Sequence, residues 1–224
     1  MQTGRGRLVE RFLNGGGRVA CDARLIPRPG QYVMATASSG NEVLASPLFA
    51  ARAHRDGFIA APELPGAWLP GSWLYLRGPN GNGFHVPSTS RRVALATFGG
   101  GAHCLLPLVA TALTQDAAVV FVGEHADLEL PAAVEVQPLG AFSEAACWAD
   151  YVAVEVRRET IEWMRESIAA ADVRSMTAKA EVIVRTAMPC GGLAECGVCV
   201  VGTGRNRLAL CSDGPVLDLR GLLV

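Results

Sequence analysis

The sequence predicts an α+β chain built in several regions: an N-terminal β-barrel over 1–87, an α/β domain over 88–178, and a small C-terminal domain over 179–224. Three observations predict it. Short strand-like runs punctuated by Gly and Pro fill the first region, strand and helix patterns alternate through the second, and four cysteines crowd the third.

In the first region, residues 8–13 and 19–26 are strand candidates divided by Asn14-Gly15-Gly16-Gly17. Pro29-Gly30-Gln31-Tyr32-Val33-Met34 begins a third strand that Ser38-Ser39-Gly40-Asn41 turns. Pro70-Gly71 leads into a strand over 72–77, and Gly78-Pro79-Asn80-Gly81-Asn82-Gly83-Phe84 closes the region. Such spacing suits a small barrel. The second region offers strands at 93–97, 118–123, 134–139 and 151–156, and a buried helix at 102–114. An amphipathic helix follows at 158–171, with Ile161, Met164 and Ile168 on one face. This alternation predicts a parallel sheet covered by helices. Residues 172–179 read as a linker, and the third region starts with a strand at 181–185.

Composition excludes several function classes. Of 224 residues, 20 are Lys or Arg and 21 are Asp or Glu, so the clustered positive charge that grips nucleic acid is absent. Lys179 is the only lysine, which disfavours a lysine-based mechanism. No signal-peptide pattern opens the sequence. Residues 93–115 carry no Asp, Glu, Lys or Arg, but Gly99, Gly100, Gly101, His103 and Pro107 lie within them and break a lipid-facing helix. A cytoplasmic protein without a membrane partner is expected. No Ser/His/Asp set supports a hydrolase, and His54, His85, His103 and His125 read as solvated or structural.

Cys21, Cys104 and Cys147 sit among apolar neighbours and read as core thiols. Cys190, Cys196, Cys199 and Cys211 form the pattern C-x5-C-x2-C-x11-C, which reads as a metal site. Three closely spaced thiolates and a distant fourth favour a [2Fe–2S] cluster. Structural zinc stays open as the alternative, although a zinc ribbon usually pairs two C-x2-C knuckles and only one is present. Cys211 is expected to follow a returning strand over 207–210.

The segments Met188-Pro189-Cys190-Gly191-Gly192, Cys196-Gly197-Val198-Cys199-Val200-Val201 and Cys211-Ser212-Asp213-Gly214-Pro215 closely resemble the cluster segment of the dihydroorotate dehydrogenase electron transfer subunits. Those are ferredoxin-reductase-like flavoproteins with a C-terminal [2Fe–2S] domain. The Pro29–Met34 and Gly78–Phe84 stretches resemble the family's barrel motif and its glycine loop. The resemblance implies a heteromeric complex. In it, electrons pass from NADH through FAD and the cluster to a flavin in a partner catalytic subunit of pyrimidine biosynthesis.

Four stretches depart from the family. The cysteine loop is one residue longer. The FAD motif, an Arg-Pro-x-Ser stretch, stands here as Ser46-Pro47-Leu48-Phe49, which lacks both the phosphate-binding Arg and the ring-binding Ser. Arg52 or Arg55 could replace the phosphate contact, though solvated arginines are the simpler expectation. Gly99-Gly100-Gly101 sits where a dinucleotide's phosphates would approach, but the following turn is longer than the family's. Val154-Glu155-Val156 replaces the family's Cys-Gly-x-Pro-like signature and brings a carboxylate toward an anionic ligand. NAD binding is therefore disfavoured, and FAD rests on the resemblance alone.

The leading expectation is an electron-transfer subunit, an oxidoreductase component that holds [2Fe–2S] through the four cysteines and serves a partner flavoprotein dehydrogenase. The alternatives are a non-catalytic assembly subunit with a structural four-cysteine metal site, and a complete NADH:acceptor reductase with remodelled pockets. The cysteine loop, with Gly191-Gly192-Leu193-Ala194, is the expected partner contact. Leu217, Leu219, Leu222 and Leu223 either extend that contact or pack locally.

Overall fold

Six strands close a barrel in the order β1-β2-β5-β4-β3-β6. They are β1 (Gln2–Arg11), β2 (Gly17–Cys21), β3 (Tyr32–Ala37), β4 (Ser46–His54), β5 (Gly57–Ala60) and β6 (Trp73–Asn80). The computed structural model describes residues 2–38, 44–99, 101–124, 128–168, 176–204 and 206–223. Alternation along each strand turns Leu8, Val19, Val33, Leu48, Phe58 and Leu74 into the barrel, where Leu25 and Trp68 complete the core. Closure pairs every strand on both edges and so removes the unpaired edges that invite aggregation.

The predicted hairpins differ in one place. Residues 46–60 form two paired strands, β4 and β5, where the sequence suggests a motif followed by a loop. The local signal is Asp56-Gly57 at the turn. Leu48-Phe49-Ala50-Ala51 is buried throughout, so the strand shows no polar alternation. The turn expected at Ser38-Ser39-Gly40-Asn41 lies mostly outside the described residues, from 39 onward.

The second layer is a six-stranded sheet in the order β14-β11-β10-β7-β8-β9. Its strands are β7 (Arg92–Phe98), β8 (Ala118–Val122), β9 (Val134–Gln137), β10 (Tyr151–Arg157), β11 (Lys179–Arg185) and β14 (Val216–Asp218). The first five are parallel and β14 is antiparallel. Strands β7, β8 and β9 step one way, and β10 and β11 return on the other side of β7. The strand order therefore reverses between β7 and β10, and in such sheets the crevice beyond the strands' carboxyl ends at that point is where ligands bind.

Helix α1 (Leu106–Thr114) starts four residues later than the predicted 102. Pro107 falls in its first turn, where a missing N–H costs nothing, and residues 102–105 form a turn instead. Helix α2 (Phe142–Trp148) is not predicted by the sequence pattern; its buried Phe142, Ala145 and Ala146 are a short, small-residue face. Helix α3 (Ile161–Ser167) is shorter than the predicted 158–171, with a 3₁₀ turn at Arg158–Thr160 before it and residues 169–171 outside the described set. Its Ile161, Met164 and Ile168 are buried as expected. No helix among the described residues is long and apolar enough to cross a membrane.

The boundary expected at 179 runs through the sheet rather than beside it. Strand β11 pairs with β10 along its whole length, from Tyr151↔Lys179 to Arg157↔Arg185. Met176 and Ala178 are buried and their carbonyls accept from Arg220, so this part of the expected linker belongs to the core; residues 172–175 lie outside the described set. Within the third region, the cysteine segment is an insertion between β11 and β14. It carries the hairpin β12 (Val200–Thr203) and β13 (Asn206–Ala209), then the single turn α4 (Leu210–Asp213). A last turn, α5 (Leu219–Leu222), follows β14.

Candidate functional site

The fold brings the four predicted thiols near one another, with Cys190, Cys199 and Cys211 all close enough to act on Tyr32. Cys190 and Cys196 are within hydrogen-bonding reach of each other, and so are Cys199 and Cys211. The Leu210 N–H donates to the Cys199 carbonyl at 3.1 Å, which brings the end of β13 back to the start of β12. Cys211 thus sits in the α4 turn just after the returning strand, not on the strand itself. Cys199 and Cys211 are buried, Cys190 is half-buried and Cys196 is exposed.

Backbone amides are turned onto these sulfurs. The N–H groups of Glu195, Cys196 and Leu193 address Cys190 and, against the opposing effect of burial, bring its thiol down to about 6. Burial, with Cys199 alongside, pushes Cys211 up to about 12, although the Ala194 N–H also addresses it. The backbone can wrap this way because Gly191, Gly192 and Gly197 adopt φ of 67°, 83° and 70°, and Ala194 follows at 60°. Among the described residues no three His, Cys, Asp or Glu side chains form a group suited to a single metal ion. Cys190 lies beside Cys196 and Cys199 beside Cys211, with Cys190 also acting on Cys211; four thiolates are a donor set that either a [2Fe–2S] cluster or a tetrahedral zinc takes.

The barrel holds this segment. Tyr32 Oη donates to the Cys211 carbonyl at 2.9 Å, inside the core. Asn82 donates from its backbone to Gly214 at 2.6 Å and from Nδ2 to Asp213 at 2.7 Å. A Cβ on Gly192 would lie 3.0 Å from Tyr32 Oη, so the loop and the ring are in close contact. The two stretches that resemble the family's barrel motif and glycine loop therefore share a task here: both grip the cysteine segment.

The flavin motif lies on β4. Ser46 pairs with Ala35 and Phe49 with Tyr32 across the barrel. Phe49 is buried outside the barrel, against the α/β layer, with its ring 5.7 Å from that of Tyr32 and the Arg185 guanidinium 5.9 Å above it. Leu48 points into the barrel core. Ser46-Pro47-Leu48-Phe49 thus offers no cation for a phosphate, and its one hydroxyl, on Ser46, stands where the family has Arg, while buried Phe49 stands where the family has the ring-binding Ser. Arg52 and Arg55 are exposed, and Arg55 pairs with Asp56.

The glycine turn lies beyond the end of β7. Gly99 has φ of 90° and Thr160 packs where its Cβ would be; the Gly101 carbonyl accepts from Thr97 Oγ1 at 2.5 Å; Gly100 lies outside the described residues. Facing the turn is Glu155 of β10, only 1% exposed. Its Oε2 accepts from the Cys104 N–H at 2.9 Å and its Oε1 pairs with Arg185 Nη1 at 3.3 Å. Arg185 also donates to the Pro62 carbonyl on the barrel side. Cys104 is a buried thiol raised far above its ordinary range by burial and then by Glu155, so it is a core thiol as expected. Cys21 is half-buried, whereas Cys147 is exposed on α2 rather than in the core. His103 is buried; His85 is exposed over Glu181; His54 sits at the end of β4; His125 lies outside the described residues.

Leu217, Leu219 and Leu222 are buried and Leu223 is partly buried against the same core, so these leucines pack locally rather than facing a partner. Leu193 and Val198, in the cysteine loop, are exposed.

No family model matches the chain. One curated protein, from Thermoplasma acidophilum and described as a probable dihydroorotate dehydrogenase B (NAD(+)), electron transfer subunit, is 26% identical over 208 residues, spanning 87% of this chain and 80% of that one. Among solved structures, the NADH-dependent reduced ferredoxin-NADP oxidoreductase studied for flavin-based electron bifurcation superposes with a TM-score of 0.70 at 16% identity, over 95% of this chain and 87% of that one. A ferredoxin NADP+ reductase from Neisseria gonorrhoeae with bound FAD and NADP gives 0.55 at 8% identity, over 83% and 98%. The flavohem-like FAD/NAD-binding domain of the Vibrio cholerae nitric oxide dioxygenase gives 0.53 at 14%, over 81% and 98%. The fold is ferredoxin-reductase-like, and the resemblance first carried by the cysteine segment extends along most of the chain.

Proposed function

We propose that this chain is an electron-transfer subunit that holds a [2Fe–2S] cluster through Cys190, Cys196, Cys199 and Cys211 and serves a partner flavoprotein dehydrogenase resembling dihydroorotate dehydrogenase. The observation that carries the reading is the thiol arrangement: two adjacent pairs, with backbone N–H groups aimed at Cys190 and Cys211. Such a cluster supplies one-electron exchange, and hydrogen bonds to the sulfurs help set its potential. The chain's own part is to fix the ligands. The Gly191–Gly192 turn presents Cys190, the β12–β13 hairpin returns Cys211 to Cys199, and Tyr32 holds the Cys211 backbone against the barrel.

Partner contact is assigned to the rim of this loop. Cys196, Leu193 and Val198 are exposed there, and small glycines on either side allow a close approach. A zinc site on the same four cysteines is the competing reading; a zinc ribbon usually pairs two C-x2-C knuckles, and this sequence has one. The residues at 46–49 do not fit a flavin, so no step is assigned to a flavin of this chain.

The test is composition and spectrum. Protein made anaerobically with iron should contain about two irons and two acid-labile sulfides per chain, with the visible absorption of a [2Fe–2S] centre. Cys196→Ser or Cys199→Ser should lose them. Stoichiometric zinc without sulfide would overturn the reading.

A further inference from the structure

We propose that the Glu155 carboxylate is the resident anion of the glycine turn, and that with Arg185 it closes this chain's dinucleotide crevice from within. The crevice lies where the strand order reverses, beyond β7 and β10. In sheets of this kind the turn after the first strand gives its N–H groups to a phosphate. Here the Cys104 N–H, at the entry to α1, is already given to Glu155 Oε2 at 2.9 Å. The carboxylate is 1% exposed, so it fills that position rather than bordering it.

Arg185 completes the closure. A lone guanidinium in the crevice would attract a pyrophosphate, but this one pairs with Glu155, donates to Pro62 and lies over Phe49. Its charge is matched internally, and its contacts reach from Glu155 in the sheet to Pro62 and Phe49 on the barrel side. A buried ion pair stays in place because removing either member strands the other. The pair therefore acts as a clip between the two layers as well as a plug. Taken with the cluster reading above, on which this last step rests, it leaves a partner subunit's redox centre as the source or sink of the cluster's electron.

The experiment uses the full chain and two probes, sodium pyrophosphate and NADH. Wild-type protein should show no saturable thermal stabilisation by either at millimolar concentration. Glu155→Gly, which removes the carboxylate and leaves the Cys104 N–H and Arg185 unmatched, should bind pyrophosphate at least about tenfold more tightly than wild type. Glu155→Ala, which also vacates the position and suits a strand better than glycine, decides the matter if the glycine variant fails to fold. Saturable NADH binding to wild type overturns the proposal, and so does folded Glu155→Ala that binds pyrophosphate no better than wild type. A separate anaerobic titration keeps the two readings apart. NADH bleaching the cluster would refute the closed crevice, whereas a chain without dithionite-bleachable absorption would refute the cluster.

Discussion

Replacing Glu181 by Ala should destabilise the chain by about 3 kcal/mol, and the structure shows where that figure comes from. Glu181 is 9% exposed on β11 and accepts three hydrogen bonds: from Tyr151 Oη at 2.5 Å, from the His85 N–H at 2.9 Å and from Lys179 Nζ at 2.8 Å. Tyr151 is fully buried, so losing its acceptor strands a hydroxyl, which costs about 1.5–3 kcal/mol for a bond to a charged group. The partly buried His85 amide adds about 1 kcal/mol, and the half-exposed lysine little. Tyr151→Phe, which leaves Glu181 two partners, should cost about 1–2 kcal/mol, and the double variant should fall short of the sum. The pH dependence has a definite sign. Burial alone would raise the Glu181 pKa, but the bonds from His85, Lys179 and Tyr151 outweigh it and hold the carboxyl below 4.5. Its contribution is therefore complete above the unfolded value and is lost as pH falls through the lower folded value. Urea unfolding of wild type and Glu181→Ala at neutral pH and stepwise down to about pH 3 is the assay. A gap under about 1 kcal/mol at pH 7, or one that does not narrow below about pH 4.5, would refute the reasoning.

Other outcomes follow from the same geometry. Tyr32→Phe removes the bond to the Cys211 carbonyl and should cost about 1–2 kcal/mol, with faster loss of iron on chelator challenge. Gly192→Ala must adopt φ near 83° with its Cβ 3.0 Å from Tyr32 Oη, and should lower both the melting temperature and the iron content after reconstitution. Leu76→Ala opens the barrel core and should cost about 2–5 kcal/mol in denaturant unfolding. Glu63→Ala breaks the exposed pair with Arg157 and a weaker charge interaction with Arg185, and should stay within about 1 kcal/mol of wild type.

The cysteine grouping is legible in the sequence because its spacing is local: three of the four thiols fall within ten residues, among glycines that announce the turns. Strands bounded by Asn-Gly or Pro-Gly are legible for the same reason. What escapes is set by distant contacts. Strand β4 runs through a stretch buried on both faces and shows no period there, and α2 is too short to display one. The Glu155–Arg185 pair depends on the parallel register that sets Arg157 against Arg185, and no residue near either position signals it. The sequence marks Glu155 only as a charge unfavourable to a dinucleotide; its partners in the turn and on β11 emerge with the fold. The Tyr32–Cys211 bond spans 179 positions of sequence, beyond the reach of any motif.

The anchoring of the cysteine insertion bears on how it can exchange electrons. Its two ends are neighbouring strands of one sheet, β11 and β14, and its middle is bonded to the barrel by Tyr32 and Asn82. A segment fastened at three places cannot work as a tethered arm that carries charge from one site to another. On the electron-transfer reading proposed above, it would be a stationary terminal to which the partner comes. The rate of exchange would then be governed by how two surfaces meet, and so by encounter, ionic strength and the fit of the Leu193–Val198 rim, rather than by any reorientation inside this chain.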